Sequence, residues 1–284
     1  MVAALGLPLA ERLLAPDALR LARWGQPVGA ALAVVALVFE PGAVAGVMAC
    51  GWLAVCLAAT AQGAVLAWRR RPPPWPPVGD VTALAGLAFL SVGGSWLVIS
   101  RFGWRPLDLS TDIVRLTAVH FHYAGFGLPV LGAAALRASS GAARRVLLVA
   151  CGAAVLGPPV VAAGFTTGSA VFQVGGAVIV TVAAWGVAAG TAAAVRSIAL
   201  VHRGAALLLG VSSVSPLAAM VLAVQWALAQ HAAVPALSVD DMALTHGLLN
   251  GLGFVIAGLL GWTLFETAAD IAADPAEAPL RSRR

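Results

Sequence analysis

Between about residue 27 and residue 265 the chain is a succession of apolar runs, each near the roughly 20 residues that a helix needs to cross a bilayer core of about 30 Å. Nothing else in the sequence restricts the fold so strongly. A backbone in lipid must satisfy its own N–H and C=O groups, which leaves helices or closed barrels. A barrel would show alternating strands of about ten residues, and none is present. Composition agrees. Only 10% of the 284 residues are charged, against roughly 25% in a soluble domain, and the mean hydropathy is +0.93. The reading is all-α: a polytopic transmembrane helical bundle in one domain, residues 1–284. Eight spans are expected at 27–39, 42–68, 81–100, 113–136, 146–167, 169–195, 205–229 and 242–265.

Charge orients the bundle. All 17 basic residues are Arg, which reads as coding bias rather than function. With the first segment inside, fourteen of them fall on one side: Arg12, Arg20, Arg23, Arg69, Arg70, Arg71, Arg137, Arg144, Arg145, Arg196, Arg203, Arg281, Arg283 and Arg284. Only Arg101, Arg105 and Arg115 fall on the other. Positive-inside bias then places both termini in the cytoplasm, and an odd number of spans would destroy the alternation. The basic residues lie between spans rather than on one soluble surface, so the net charge of +5 points to the lipid bilayer and not to nucleic acid.

The stretch 1–26 contains Pro8, Glu11, Pro16 and Asp17 and lacks the pattern of a signal peptide. It reads as a cytoplasmic or interfacial segment, with an amphipathic surface helix around Ala18 to Trp24; 267–284 reads as a cytoplasmic tail. The linker RRRPPPWPPVGD, 69–80, is too short to separate domains. Gly157-Pro158-Pro159 in the fifth run is expected to kink it. Trp24, Trp75 and Trp104 read as interfacial anchors. Cys50, Cys56 and Cys151 lie in apolar runs with no CxxC pair, which indicates neither a disulfide framework nor a thiolate metal site.

The polar residues within spans gather at one depth. In LTAVHFHYAGF, Leu116 to Phe126, His120 lies about 10 Å below the outer end of its span at 1.5 Å per residue. In MALTHGLLNGLGF, Met242 to Phe254, His246 lies about 6 Å deep and Asn250 one turn deeper. Ser95, Ser100, Gln173 and Gln225 fall in the same outer half, with Glu40, Asp108, Asp112, Asp240 and Asp241 at the outer turns. Gln62 is the inner exception. On an undistorted helix His120 and His122 point about 200° apart, so they cannot both meet His246. His120, sharing a face with Tyr123, is the better partner for His246, and His122 then braces another interface. Intramembrane ionisable groups are costly and face a cavity or a partner. The candidate pocket is therefore His120, His122, Tyr123, His246, Asn250, Glu40, Arg101, Gln173 and Gln225, with Arg101 compensated by Glu40, Asp108 or Asp112. The bland alternative makes each histidine a contact between helices.

Three stretches resemble one family. LTAVHFHYAGF, GPPVVAAGF and THGLLNGLGF followed by GW, in that order, are similar to the YndJ-like family of bacterial membrane proteins, over about Glu40 to Trp262. The resemblance implies a multi-pass protein of the bacterial inner membrane. It also implies that His120, His122, Tyr123, His246 and Asn250 stand at family motif positions. It brings no chemistry, beyond the label of transporter that some members carry.

Three functions remain open. A transporter would bind a small polar solute in an outward pocket, with histidine available to couple protons. A metal- or haem-binding protein would use His120, His122 and His246 as ligands, because imidazole is a common metal and axial haem ligand. Against this, no HExxH or CxxCH pattern is present. A structural subunit with unknown protein partners would use the histidines as glue. Metal analysis and an absorption spectrum separate the first two.

Overall fold

The computed structural model describes residues 1–70 and 76–273. Arg71, Trp75, Arg281, Arg283, Arg284 and the greater part of the expected tail lie outside the described residues. Among the described residues nine longer helices follow one another and no strand is present. They are α1 (Val2–Leu14), α2 (Arg20–Val38), α3 (Ala43–Arg69), α4 (Val78–Phe102) and α5 (Thr111–Arg137). Then come α6 (Gly141–Thr167), α7 (Ala170–Val201), α8 (Arg203–Ala229) and α9 (239–273). The last eight are long and apolar enough to cross a membrane, and they coincide with the eight expected runs.

Local chemistry sets their ends. Ser110, Ser169 and Ser238 precede α5, α7 and α9, and their hydroxyls accept from the backbone N–H of Ile113, Phe172 and Asp241. Each satisfies a donor that the first turn of a helix leaves free. Gly103 and Gly168 close α4 and α6 at φ of 75° and 67°, where a side chain would be strained. α6 runs through Pro158 and Pro159 as one helix.

Consecutive helices are antiparallel neighbours, and α5 is the most buried span while α2 is the least. The α5 residues Phe126, Leu128 and Leu131 join Leu87 and Leu90 of α4, Leu147 of α6, Leu209 of α8 and Leu259 of α9 in one core. The antiparallel order gathers the described arginines into an Arg-rich end and an Arg-poor end holding Arg101, Arg105 and Arg115. At the Arg-rich end Arg23 pairs with Glu11 and Arg70 with Asp80. Arg12 meets Asp270 and Arg137 meets Glu266, each at 2.6 Å.

The beginning of the chain departs from expectation twice. Arg20 to Trp24 are the first turns of α2, not a separate surface helix. Gln62 of α3, the inner polar exception, accepts there from Ala22 N–H at 2.9 Å. Residues 2–14 are a helix inside the bundle. Val2, Leu7, Leu9 and Leu14 are buried, against α2, α4, α5 and α9. Gly6 lets α1 lie on Phe126; a Cβ there would meet that ring. At about 1.5 Å per residue α1 spans some 20 Å. It therefore fills the Arg-rich half of the bundle and stops short of the other half. Arg70 and Arg137 donate to the carbonyls of Leu14 and Arg12, satisfying acceptors that the last turn of α1 leaves free.

Candidate functional site

Both helices that carry intramembrane histidines leave α-helical geometry where they carry them. α5 is a π-helix over Phe121–Gly127. α9 is one over Ala243–Gly247 and again over Leu249–Ile256. Leu128 N–H bonds to Tyr123 C=O and Ala257 N–H to Leu252 C=O, five residues back. Pro129 favours the first shift, because it has no N–H to give the carbonyl four residues before it. In α9, the Ser212 hydroxyl of α8 donates to the Phe254 carbonyl at 2.7 Å. π segments of this kind recur at functional sites.

His120 and His122 turn to different neighbours. The Nδ1 of His122 lies 2.7 Å from Ala118 C=O. Its Nε2 accepts from Trp52 Nε1–H of α3 at 2.8 Å. An indole nitrogen only donates and a carbonyl only accepts, so the ring is neutral with its hydrogen on Nδ1. The two rings lie 24° from parallel with centroids 5.9 Å apart, and the N–H···N bond makes this an edge-to-edge contact rather than a stack. α4 comes close because position 93 is Gly; a Cβ there would be 2.7 Å from His122 Nδ1. Every polar atom of His122 is therefore used within the protein.

His120 and His246 face each other. Their ring centroids are 6.3 Å apart with planes 30° from parallel. His120 Nδ1 lies 2.7 Å from Leu116 C=O, and His246 Nδ1 2.8 Å from Ala219 C=O of α8. Both carbonyls require a donor, so both rings carry hydrogen on Nδ1, and in its neutral form each presents Nε2 as a lone pair. His120 is exposed, and His246, Tyr123 and Asn250 are half-buried. The Tyr123 ring is next to Gly251 of α9. Asn250 Nδ2 lies 3.2 Å from His246 Nδ1 and 3.4 Å from Met220 Sδ, while its Oδ1 is buried without a partner. Two N–H groups cannot bond each other. Turning the amide over gives Oδ1 to the His246 N–H and leaves Nδ2 as the buried, unpaired atom; either orientation leaves one amide atom free.

The remaining candidates lie elsewhere. Gln173 donates to Gly164 C=O at 3.1 Å and meets His231 Nε2 at 3.0 Å. Gln225 donates to Pro235 C=O at 2.6 Å. Both tie down the segment between α8 and α9, the first through His231. Glu40 is exposed in the α2–α3 turn. Arg101 is buried and bonds that turn through backbone, Nη2 to Phe39 C=O at 2.7 Å, with Gly42 N–H to its own carbonyl at 2.8 Å. No carboxylate compensates Arg101 among the described residues; Asp112 pairs with Arg115 instead, at 2.6 Å. Trp52 and Met220 are the contacts the sequence did not reveal.

The three histidines are thus a facing pair and a brace, not one ligand set. Among the described residues no group of three or more His, Cys, Asp or Glu side chains could hold a metal ion. The first half of α5, Thr111–His120, packs on α4, and extended contact with α9 begins only at the π turns. The histidine pair is itself a contact between α5 and α9 beside those turns. Two cavities, of about 440 and 790 Å³, lie instead at the Arg-rich end around α1.

A family model described as YndJ-like protein matches residues 1–254. No curated protein and no solved structure matches the chain.

Proposed function

Because the chain belongs to the YndJ-like family and carries eight helices fit to cross a membrane, we propose that it is a permease of the bacterial inner membrane. Its solute is small and polar and binds at His120 and His246. The facing imidazoles carry this reading. In the neutral form each has its N–H committed to a backbone carbonyl, so the pair then offers two acceptors and no donor. Such a pair selects solutes with N–H or O–H groups, or cations, over anions. Tyr123 and Asn250 complete the wall. The Arg-rich face is cytoplasmic by the positive-inside rule, so the solute would reach the histidine pair from outside, between α5 and α9, while α1 closes the cytoplasmic half.

The test begins with purified protein and a panel of amines, amino alcohols and polyols. A bound solute raises the unfolding temperature by an amount that grows with the logarithm of its concentration over Kd. Any solute that does so is then followed into proteoliposomes. His120→Ala and His246→Ala are expected to abolish both effects. A solute that binds and crosses equally well in both variants removes the proposal.

A metal or haem is the second reading, favoured by one observation. Imidazoles that ligate metals commonly donate their other N–H to a carbonyl, as both do here. His120 and His246 would hold the ion or the haem iron through their Nε2 atoms. A Soret band or stoichiometric metal in the wild type, lost in His246→Ala, would replace the permease reading with this one.

A further inference from the structure

The cavity of about 440 Å³ between α1 and α2 has a graded wall. Leu7 and Pro8 of α1 form its apolar side, with Trp24 of α2, whose surface is 75% exposed. Asp17, Arg20 and Arg23 form its polar side. The Arg20 guanidinium lies 5.6 Å from the centre of the Trp24 ring and has no carboxylate among the described residues. Arg23 gives one N–H to Glu11 while its side chain stays 48% exposed, and a guanidinium has five N–H donors. The cavity flanks α2, the least buried span, at the end where the apolar run begins. Trp and Arg there belong to headgroup depth.

We propose that this cleft binds the phosphodiester headgroup of an anionic phospholipid. Arg20 and the free donors of Arg23 hold the phosphate, and the acyl chain lies along Pro8 and Trp24. A free phosphate ion would leave the apolar wall uncovered. Asp17 accepts from headgroup hydroxyls and repels the second charge of a phosphomonoester. Basic pockets beside membrane helices bind anionic headgroups by the same physics. The site is separate from the histidine pair and stands or falls without it.

Phosphatidylglycerol is titrated into the full-length protein in non-ionic detergent and bound lipid is counted by native mass spectrometry, with phosphatidylcholine and inorganic phosphate in parallel. The expected result is saturable binding of one phosphatidylglycerol, weakened by salt. Arg20→Gln should weaken it about fivefold, the worth of one basic residue at an anionic lipid. Arg20→Gln/Arg23→Gln should weaken it further. Since Arg23→Gln also removes a contact of Glu11, the single Arg20 variant decides. Unchanged affinity in Arg20→Gln overturns the site. So does equal binding of phosphatidylcholine, and inorganic phosphate binding as tightly as the lipid makes it a site for a free anion.

Discussion

His120 and His122 are two residues apart and do opposite things, and the difference is energetic. His122 satisfies Trp52, a buried residue at 6% exposure. His122→Ala strands the indole N–H and opens a gap between α3, α4 and α5. A lost partner of this kind costs about 1–3 kcal/mol, so the unfolding midpoint in detergent should fall. His120 bonds only within its own helix and is exposed. His120→Ala should unfold within about 0.5 kcal/mol of wild type, the range of substitutions that touch nothing buried. Equal losses in both variants would show that the two rings are both structural. Gly93→Ala offers a check from the other side. Its Cβ would press on His122 Nδ1, and overpacking costs about 1–3 kcal/mol. The angular separation of the two rings was legible, because helical spacing alone forces different neighbours. Trp52 was not, since it lies 70 residues away in sequence and nothing local marks it.

Among the elements, the spans were readable because each is one long apolar run, and α1 was not because it is only 13 residues. A helix of that length cannot cross a bilayer, so span reasoning passes over it, and Pro8, Glu11 and Asp17 give the segment a polar look. Glu11 in fact closes the structure. Its carboxylate accepts from Leu19 N–H at 2.9 Å and pairs with Arg23, with its side chain only 6% exposed. Glu11→Ala leaves the buried Leu19 N–H unsatisfied and removes the partner of Arg23, and should cost about 1–3 kcal/mol. Arg12→Ala removes a pair whose side chains are 36% and 57% exposed; exposed pairs contribute about 0–1 kcal/mol. Thermal unfolding of the two variants should therefore separate them, and a larger loss in Arg12→Ala would mean that α1 is held by its surface pairs. The π turns were likewise out of reach. An assumed 100° per residue describes α5 only up to His120, and the glycines around Tyr123 and Asn250 permit the widening without announcing it.

For the whole molecule, the Arg asymmetry and the depth of the histidines make one claim about sidedness. If the Arg-rich end is cytoplasmic, the segment before α6 is inside and the segment before α9 is outside. Cysteines report this directly. Cys50 is exposed on α3 while Cys56 and Cys151 are buried, so Cys50→Ser is the background for labelling. Ala232→Cys, exposed between α8 and α9, should react with a membrane-impermeant maleimide on intact spheroplasts. Ser140→Cys, exposed just before α6, should react only after permeabilisation. His120→Cys carries the argument to the site. It lies about 10 Å below the outer end, beyond the reach of a reagent confined to the surface, but open to a small charged methanethiosulfonate if water enters between α5 and α9. It should be modified from outside without permeabilisation, and more slowly than Ala232→Cys. Reaction from the cytoplasmic side instead would place the opening under α1 and invert the permease model. No reaction from either side would mean that the exposed face of His120 meets lipid, leaving the histidine pair as a contact between two helices.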